Sequence, residues 1–101
     1  MEYEIIKTNT FDKWLYSLDA KNNGRVLTRL DRVALGNLGD HKQLNNDIFE
    51  LRLFFGSGYR VYYTIKNNQI ILLLCGGDKK TQSKDIKKAQ QILKEWRNGN
   101  I

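Results

Sequence analysis

The sequence predicts an α+β fold: a small, mostly antiparallel sheet packed by a helical hairpin and a C-terminal helix, in the order β-α-α-β-β-β-α. Three observations carry that expectation. Apolar residues recur at helical spacing in two N-terminal stretches and one C-terminal stretch. Residues 48 to 66 alternate with period two. Gly-Ser-Gly and Asn-Asn stand where that alternation breaks.

Along the chain, Tyr3-Glu4-Ile5-Ile6-Lys7 reads as a short first strand. Phe11, Trp14, Leu15 and Leu18 fall at i, i+3, i+4 and i+7, one face of a helix starting near Asn9 or Thr10. Asn22-Asn23-Gly24 reads as a breaker. After it, Val26, Leu27, Leu30, Val33 and Ala34 predict a second amphipathic helix, ended by Gly36 and Gly39. Two helices so closely joined form a hairpin that must cover an apolar surface. From Ile48 to Phe55, one face carries Phe49, Leu51, Leu53 and Phe55, the other Ile48, Glu50, Arg52 and Phe54. Gly56-Ser57-Gly58 turns the chain into a second strand, where Tyr59, Val61, Tyr63 and Ile65 oppose Arg60, Tyr62, Thr64 and Lys66. Asn67-Asn68 turns it again, and Gln69 to Cys75, apolar on both faces, reads as a central covered strand. The last helix runs from about Ser83 to Arg97, with an apolar stripe of Ile86, Ala89, Leu93 and Trp96.

With 101 residues the chain fits one domain, 1–101. Hydrophobic residues at 41% and charged residues at 28% are ordinary globular usage and argue against disorder. The longest apolar run is the six residues Ile70 to Cys75, and the acidic start Met1-Glu2-Tyr3-Glu4 leads into no apolar signal segment. A cytoplasmic protein with no membrane partner is expected. One cysteine and one histidine leave no basis for a disulfide or a zinc centre, so neither metal nor cofactor is expected. The net charge is +6, with residues 1–40 neutral and 76–101 at net +4. Such a field attracts a polyanion, although lysines kept for solubility give the same count.

No phosphate-binding glycine loop or zinc-protease motif is present, and the spacing of the one cysteine and one histidine suggests no catalytic pair. Cys75, Trp14 and Trp96 read as core. The meander carries the chemistry. Parity places Arg52 and Arg60 on one face of facing strands, with Tyr62 and Glu50, while Lys79 follows the next strand where a loop can return. Two guanidiniums and an ammonium suit a phosphodiester, because arginine forks onto phosphate oxygens and keeps its charge. Tyr62 would stack on a base or bond a phosphate oxygen. The competing reading is a salt bridge from Arg52 to Glu50 or Asp47 and a merely exposed Arg60. His41, in the polar segment before the second strand, is the side-chain type that titrates closest to neutral pH. Its alternatives are a catalytic role and plain solvation. Glu50 is a base candidate that two neighbouring arginines would hold ionised.

The segments Glu50-Leu51-Arg52, Gly56-Ser57-Gly58-Tyr59-Arg60-Val61-Tyr62-Tyr63 and Leu73-Leu74-Cys75-Gly76-Gly77-Asp78-Lys79, followed by Gln82 and Asp85-Ile86, resemble the HigB-type branch of the RelE/ParE toxin superfamily. The resemblance runs over essentially the whole chain. It implies a RelE-like fold and a type II toxin that a co-expressed antitoxin neutralises, often a helix-turn-helix DNA-binding protein. It further implies metal-independent cleavage of mRNA on the ribosome. On this resemblance Arg60 holds the scissile phosphate, Lys79 supplies a second cation and Arg52 a third contact. Lys80 and Gln82 are further substrate-binding candidates. Two departures stand out. The strand positions where RelE enzymes carry base-catalytic lysines hold Phe49 to Arg52, and the tyrosine early in their last helix is replaced by Asp85-Ile86. Lys84, Lys87, Lys88 and Lys94 would lie along ribosomal RNA, or else form an ordinary solvated face. Two competing functions remain on this fold: a non-catalytic inhibitor of DNA gyrase, as in ParE-like toxins, and an inactive toxin that only binds its antitoxin.

Overall fold

The computed structural model describes residues 2–99. Its elements are β1 (Glu4–Lys7), α1 (Asn9–Ser17), α2 (Ala20–Ala34), β2 (His41–Gln43), β3 (Phe49–Arg52), β4 (Arg60–Lys66), β5 (Ile70–Gly77) and α3 (Gln82–Arg97), with a single 3-10 turn over Lys79–Thr81. The sheet order is β1-β5-β4-β3-β2. β1 joins β5 in parallel, and every other pairing is antiparallel.

The Thr8 hydroxyl accepts the N–H of Phe11, fixing the start of α1 where the sequence predicts it. The hairpin breaks earlier than expected, at Leu18 and Asp19, whose extended backbone separates α1 from α2. Asn22-Asn23-Gly24 is helical, not a breaker. One glycine costs a helix only about 1 kcal/mol, and burial of Val26, Leu30 and Val33 outweighs that. A second correction is the three-residue strand β2, which pairs with Phe49–Leu51 at the sheet edge. All three of its side chains are exposed, so no apolar alternation marks it. The Asn67-Asn68 turn is as expected, both residues at φ 54° with the Gln69 N–H donating to the Lys66 carbonyl. The loop after β3 is longer than a tight hairpin, since β3 ends at Arg52 and Gly56 and Gly58 adopt φ of 62° and 78°.

Helices cover both faces of the sheet. On one, Phe11, Leu15, Val26, Leu30 and Val33 of the hairpin pack on Leu51, Val61, Tyr63, Ile71 and Leu73. On the other, Ala89, Ile92 and Leu93 of α3 pack on Ile48, Tyr62, Leu72, Leu74 and Cys75. Opposite side-chain parity along β3 and β4 therefore feeds two separate cores, as the alternation predicts. Among the described residues no helix is long and apolar enough to cross a membrane.

Candidate functional site

The α3 face is not covered to its end. Register places Arg52 opposite Arg60 and Arg60 opposite Gly77, while Lys42, Glu50, Tyr62 and Cys75 line up across the row below. Directly paired residues point to the same side of a sheet, so both rows face α3.

Glu50 organises the upper row. It is completely buried. Its Oε1 accepts a hydrogen bond from Arg52 Nε at 3.0 Å and stands 3.9 Å from Arg60 Nε. Its Oε2 accepts from Gln82 Nε2, at the start of α3, at 2.5 Å. One carboxylate thus ties two strands and a helix together and holds two guanidiniums on a common point. The hydrogen bond to Glu50 pushes the Arg52 pKa above its ordinary value, so that guanidinium keeps its charge. Arg52 remains 35% and Arg60 15% exposed at the side chain, enough to meet an anion arriving from solvent. Arg60 Nη1 also donates to the carbonyls of Gly58 and Tyr59, both at 3.2 Å.

The loop that carries Lys79 is tied to the loop before Arg60. Ser57 Oγ donates to Asp78 Oδ2 at 3.1 Å, and Asp78 Oδ1 accepts the N–H groups of Lys80 and Thr81. Burial works to raise the Asp78 pKa, but these hydrogen bonds outweigh it and hold the carboxyl below its ordinary value. The tie draws the turn over Gly58. A Cβ built there would stand 3.5 Å from Lys79 Cβ and 3.9 Å from Arg60 Nη1.

Five expectations change. Glu50, a base candidate provided that burial raises its pKa, is indeed buried beneath the arginines, but the Arg52 and Arg60 guanidiniums stand against its carboxylate, the pairing that opposes that role. Tyr62 is also fully buried, too deep to stack on a base. Burial, then the charges of Glu50, Asp85 and Cys75, push its pKa up. The Gln82 amide turns inward to Glu50, not outward to a ligand. His41 is not in a loop: it pairs with Leu51 in β2, on the hairpin side of the sheet and away from the arginines. Its Nδ1 lies 3.0 Å from the Gly39 carbonyl oxygen. Finally, the salt bridge from Arg52 to Glu50 and the convergence with Arg60 are both present, so the two readings of Arg52 were not exclusive.

Lys80 is exposed on the 3-10 turn, and Lys84, Lys87, Lys88 and Lys94 are all exposed on α3. Lys42 is the cation the sequence reading missed. It pairs with Glu50 and is exposed on the arginine face, and only the unpredicted β2 puts it there. Asp85 is the other omission. It is buried over Gly77, and its Oδ2 accepts from Thr81 Oγ1 at 2.5 Å. Cys75 is buried, donates to the Asp85 carbonyl, and has its thiol pushed up to about 12 by burial, so it is core as expected.

Residues 13–96 match the family model described as Phage derived protein Gp49-like (DUF891). The chain belongs to this Gp49-like family. A Haemophilus influenzae protein described as uncharacterized is 46% identical over 96 residues, spanning 94% of this chain and 97% of its own. Among solved structures, a mutant of Escherichia coli toxin RelE in the free state superposes with TM-score 0.66 at 17% identity, over 87% of this chain and 98% of that one. RelE from the Pyrococcus horikoshii RelE–RelB complex gives 0.61 at 21%, over 78% and 97%. The Mycobacterium tuberculosis toxin–antitoxin complex RelBE2 gives 0.55 at 23%, over 78% and 100%. This Gp49-like chain therefore has the RelE fold, as the sequence leads one to expect. Its arginine pair lies on the sheet of that fold, at the edge α3 leaves open.

Proposed function

We propose that this Gp49-like protein is the toxin of a type II toxin–antitoxin module and a metal-independent endoribonuclease of HigB type acting on mRNA at the ribosome. The RelE fold and the solved complexes of such toxins with antitoxins support the module. In this reading the partner is a helix-turn-helix antitoxin. One observation carries the chemistry: Arg52 and Arg60 approach the same oxygen of Glu50, at 3.0 and 3.9 Å, beside Lys79. That carboxylate marks a point where two cationic forks meet. A phosphate at the exposed side of the pair meets both, and the guanidiniums stabilise the charge that builds on its equatorial oxygens as the 2′-OH attacks. Lys79, exposed and with its Cβ 3.5 Å from a Cβ built at Gly58, supplies a further cation to the phosphate, while water takes the 2′-OH proton and returns one to the leaving 5′-oxygen. Holding the message in line within the ribosome supplies much of the remaining rate. The exposed Lys84, Lys87, Lys88 and Lys94 side of α3 lies along ribosomal RNA in this reading.

The test is to map 5′ ends of mRNA after brief induction. Wild type should produce new ends on translated messages, and Arg60→Ala should produce them about 100- to 1,000-fold more slowly, the cost typical of losing one transition-state charge contact. Equal cutting by both proteins would remove Arg60 from the site.

One observation favours a non-catalytic toxin that inhibits DNA gyrase. The imidazole of His41 and the phenol of Tyr62 are both withheld from the cluster, one on the opposite face and one buried. Loss of supercoiling with intact cell-free translation would establish that reading over the nuclease.

A further inference from the structure

The equal charge count of residues 1–40 hides a local concentration. Lys21, Arg25, Arg29 and Arg32 occur at i, i+4, i+8 and i+11 of α2, a spacing that gathers them on one stripe alongside the buried Val26, Leu30 and Val33. This stripe forms one wall of a groove of about 710 Å³, and the segment from Arg52 to Phe55 forms the other. Asp40 is the one acidic residue in its lining. Burial chiefly, and the neighbouring Arg32 after it, hold the Arg29 pKa below its ordinary value.

The groove is more than a basic surface. The Arg25 guanidinium lies 4.4 Å from the centre of the Phe55 ring, which orients it before any ligand arrives. Arg29 is committed to the protein, donating to the carbonyls of Asn37 and Leu38, so it shapes the wall. The Phe54 ring is 82% exposed at the rim, the most exposed large hydrophobic side chain among the described residues. Arg52, the last residue of β3, lines the groove and also belongs to the Glu50 cluster, so the α2 side and the α3 side of the sheet meet at this residue.

We propose that this groove is a second RNA-binding site, which holds the single-stranded stretch of message next to the linkage gripped by Arg52 and Arg60. The proposal rests on the nuclease reading for the identity of the RNA. Guanidinium forks match successive phosphates, and an exposed aromatic ring gives a base a stacking platform. An acidic protein segment would use the charges but has no use for Phe54 as a base platform.

The test uses the whole protein and an uncleavable 2′-O-methyl oligonucleotide of about ten nucleotides, within the range one such domain spans. Affinity is measured across a salt series for wild type, for Lys21→Gln/Arg25→Gln/Arg32→Gln and for Phe54→Ala, with unfolding midpoints checked alongside. The triple variant should bind about 10-fold or more weakly near 0.1 M salt. Its plot of log affinity against log salt should flatten by about 2, the loss of three phosphate contacts on a single strand. Phe54→Ala, a fully surface change, should weaken binding about 5-fold or more with the salt slope unchanged. Wild-type affinity and slope in both variants would overturn the proposal. So would unchanged RNA binding by a triple variant that no longer captures its antitoxin, which would assign the groove to an acidic protein. Because binding is read without cleavage, the two proposals fail separately. If Arg60→Ala abolishes cutting while the triple variant binds RNA normally, the groove alone is wrong. If the triple variant loses RNA binding but wild type cuts no message, the nuclease reading alone is wrong.

Discussion

The two faces of the sheet are built from the same alternating strands yet differ in chemistry. The hairpin face is a continuous apolar core from Phe11 to Leu73. The α3 face holds Glu50, Thr64 and Asp85, three of the four buried polar or charged side chains among the described residues. Each face buries one tyrosine hydroxyl without a hydrogen-bond partner among those residues, Tyr62 here and Tyr63 on the hairpin side, but only the α3 face adds the equally unpartnered Arg60 Nε. Buried polar groups of this kind cost stability unless paired. The hairpin face therefore supplies the stability that lets the other face hold arginines around a buried carboxylate. The comparison teaches where to look for function: the face with the less favourable burial is the face that carries the arginine cluster.

Breaking the comparison begins on the stable side. Phe11→Ala should cost about 3–5 kcal/mol in denaturant unfolding through lost burial and cavity formation, while the folded fraction still cuts RNA at the wild-type rate. A comparable loss of specific activity would mean that the two faces are not independent. Glu50→Gln should cost about 1.5–3 kcal/mol, since it removes a buried charged acceptor, and should lower cleavage as well, because Arg52 and Arg60 lose their common anchor. Unchanged cleavage would show that the arginines hold their places without it.

Two adjacent glycines of β5 sharpen the contrast further. A Cβ at Gly76 would overlap the Trp14 ring on the hairpin side, and one at Gly77 would overlap Asp85 Oδ2 on the α3 side. Each alanine substitution should cost about 1–3 kcal/mol by overpacking. Only Gly77→Ala should also reduce cleavage, because moving Asp85 disturbs the helix start that carries Gln82 onto Glu50. Equal activity in the two variants would count against that link.

The smallest effect is alkaline. Tyr63 faces the hairpin with its pKa pushed up to about 12, and Tyr62 faces α3 with its pKa raised further, both chiefly by burial. Folding favours the protonated phenol, so this stability is complete below pH 10 and fades as pH rises through the folded values. Absorbance titration should show a late phenolate step that coincides with unfolding and shrinks in Tyr63→Phe. An early step from both rings would contradict their burial.

Much of this was legible in the residues. Alternation from Ile48 to Lys66 assigned Arg52, Arg60, Glu50 and Tyr62 to one face, and Gly58 and Asp78-Lys79 marked the loops that meet above it. Hidden from the sequence were the helical state of Asn22-Asn23-Gly24, overridden by packing, and β2, which has no apolar pattern of its own. Because β2 was hidden, His41 looked available to the site and Lys42 did not. The arginine stripe of α2 was present in plain spacing, but a count of charges over forty residues averaged it away.

The sequence by itself determined which side chains share a face, because the strand repeat and the helix repeat are local properties of the backbone. Only the tertiary structure decided which of them reach solvent. Where α3 lies across the sheet, and where it stops, converts the same parity into a buried Tyr62 and Glu50 on one row and partly exposed arginines on the next. Exposure depends on what covers a residue, and that cover comes from distant parts of the chain.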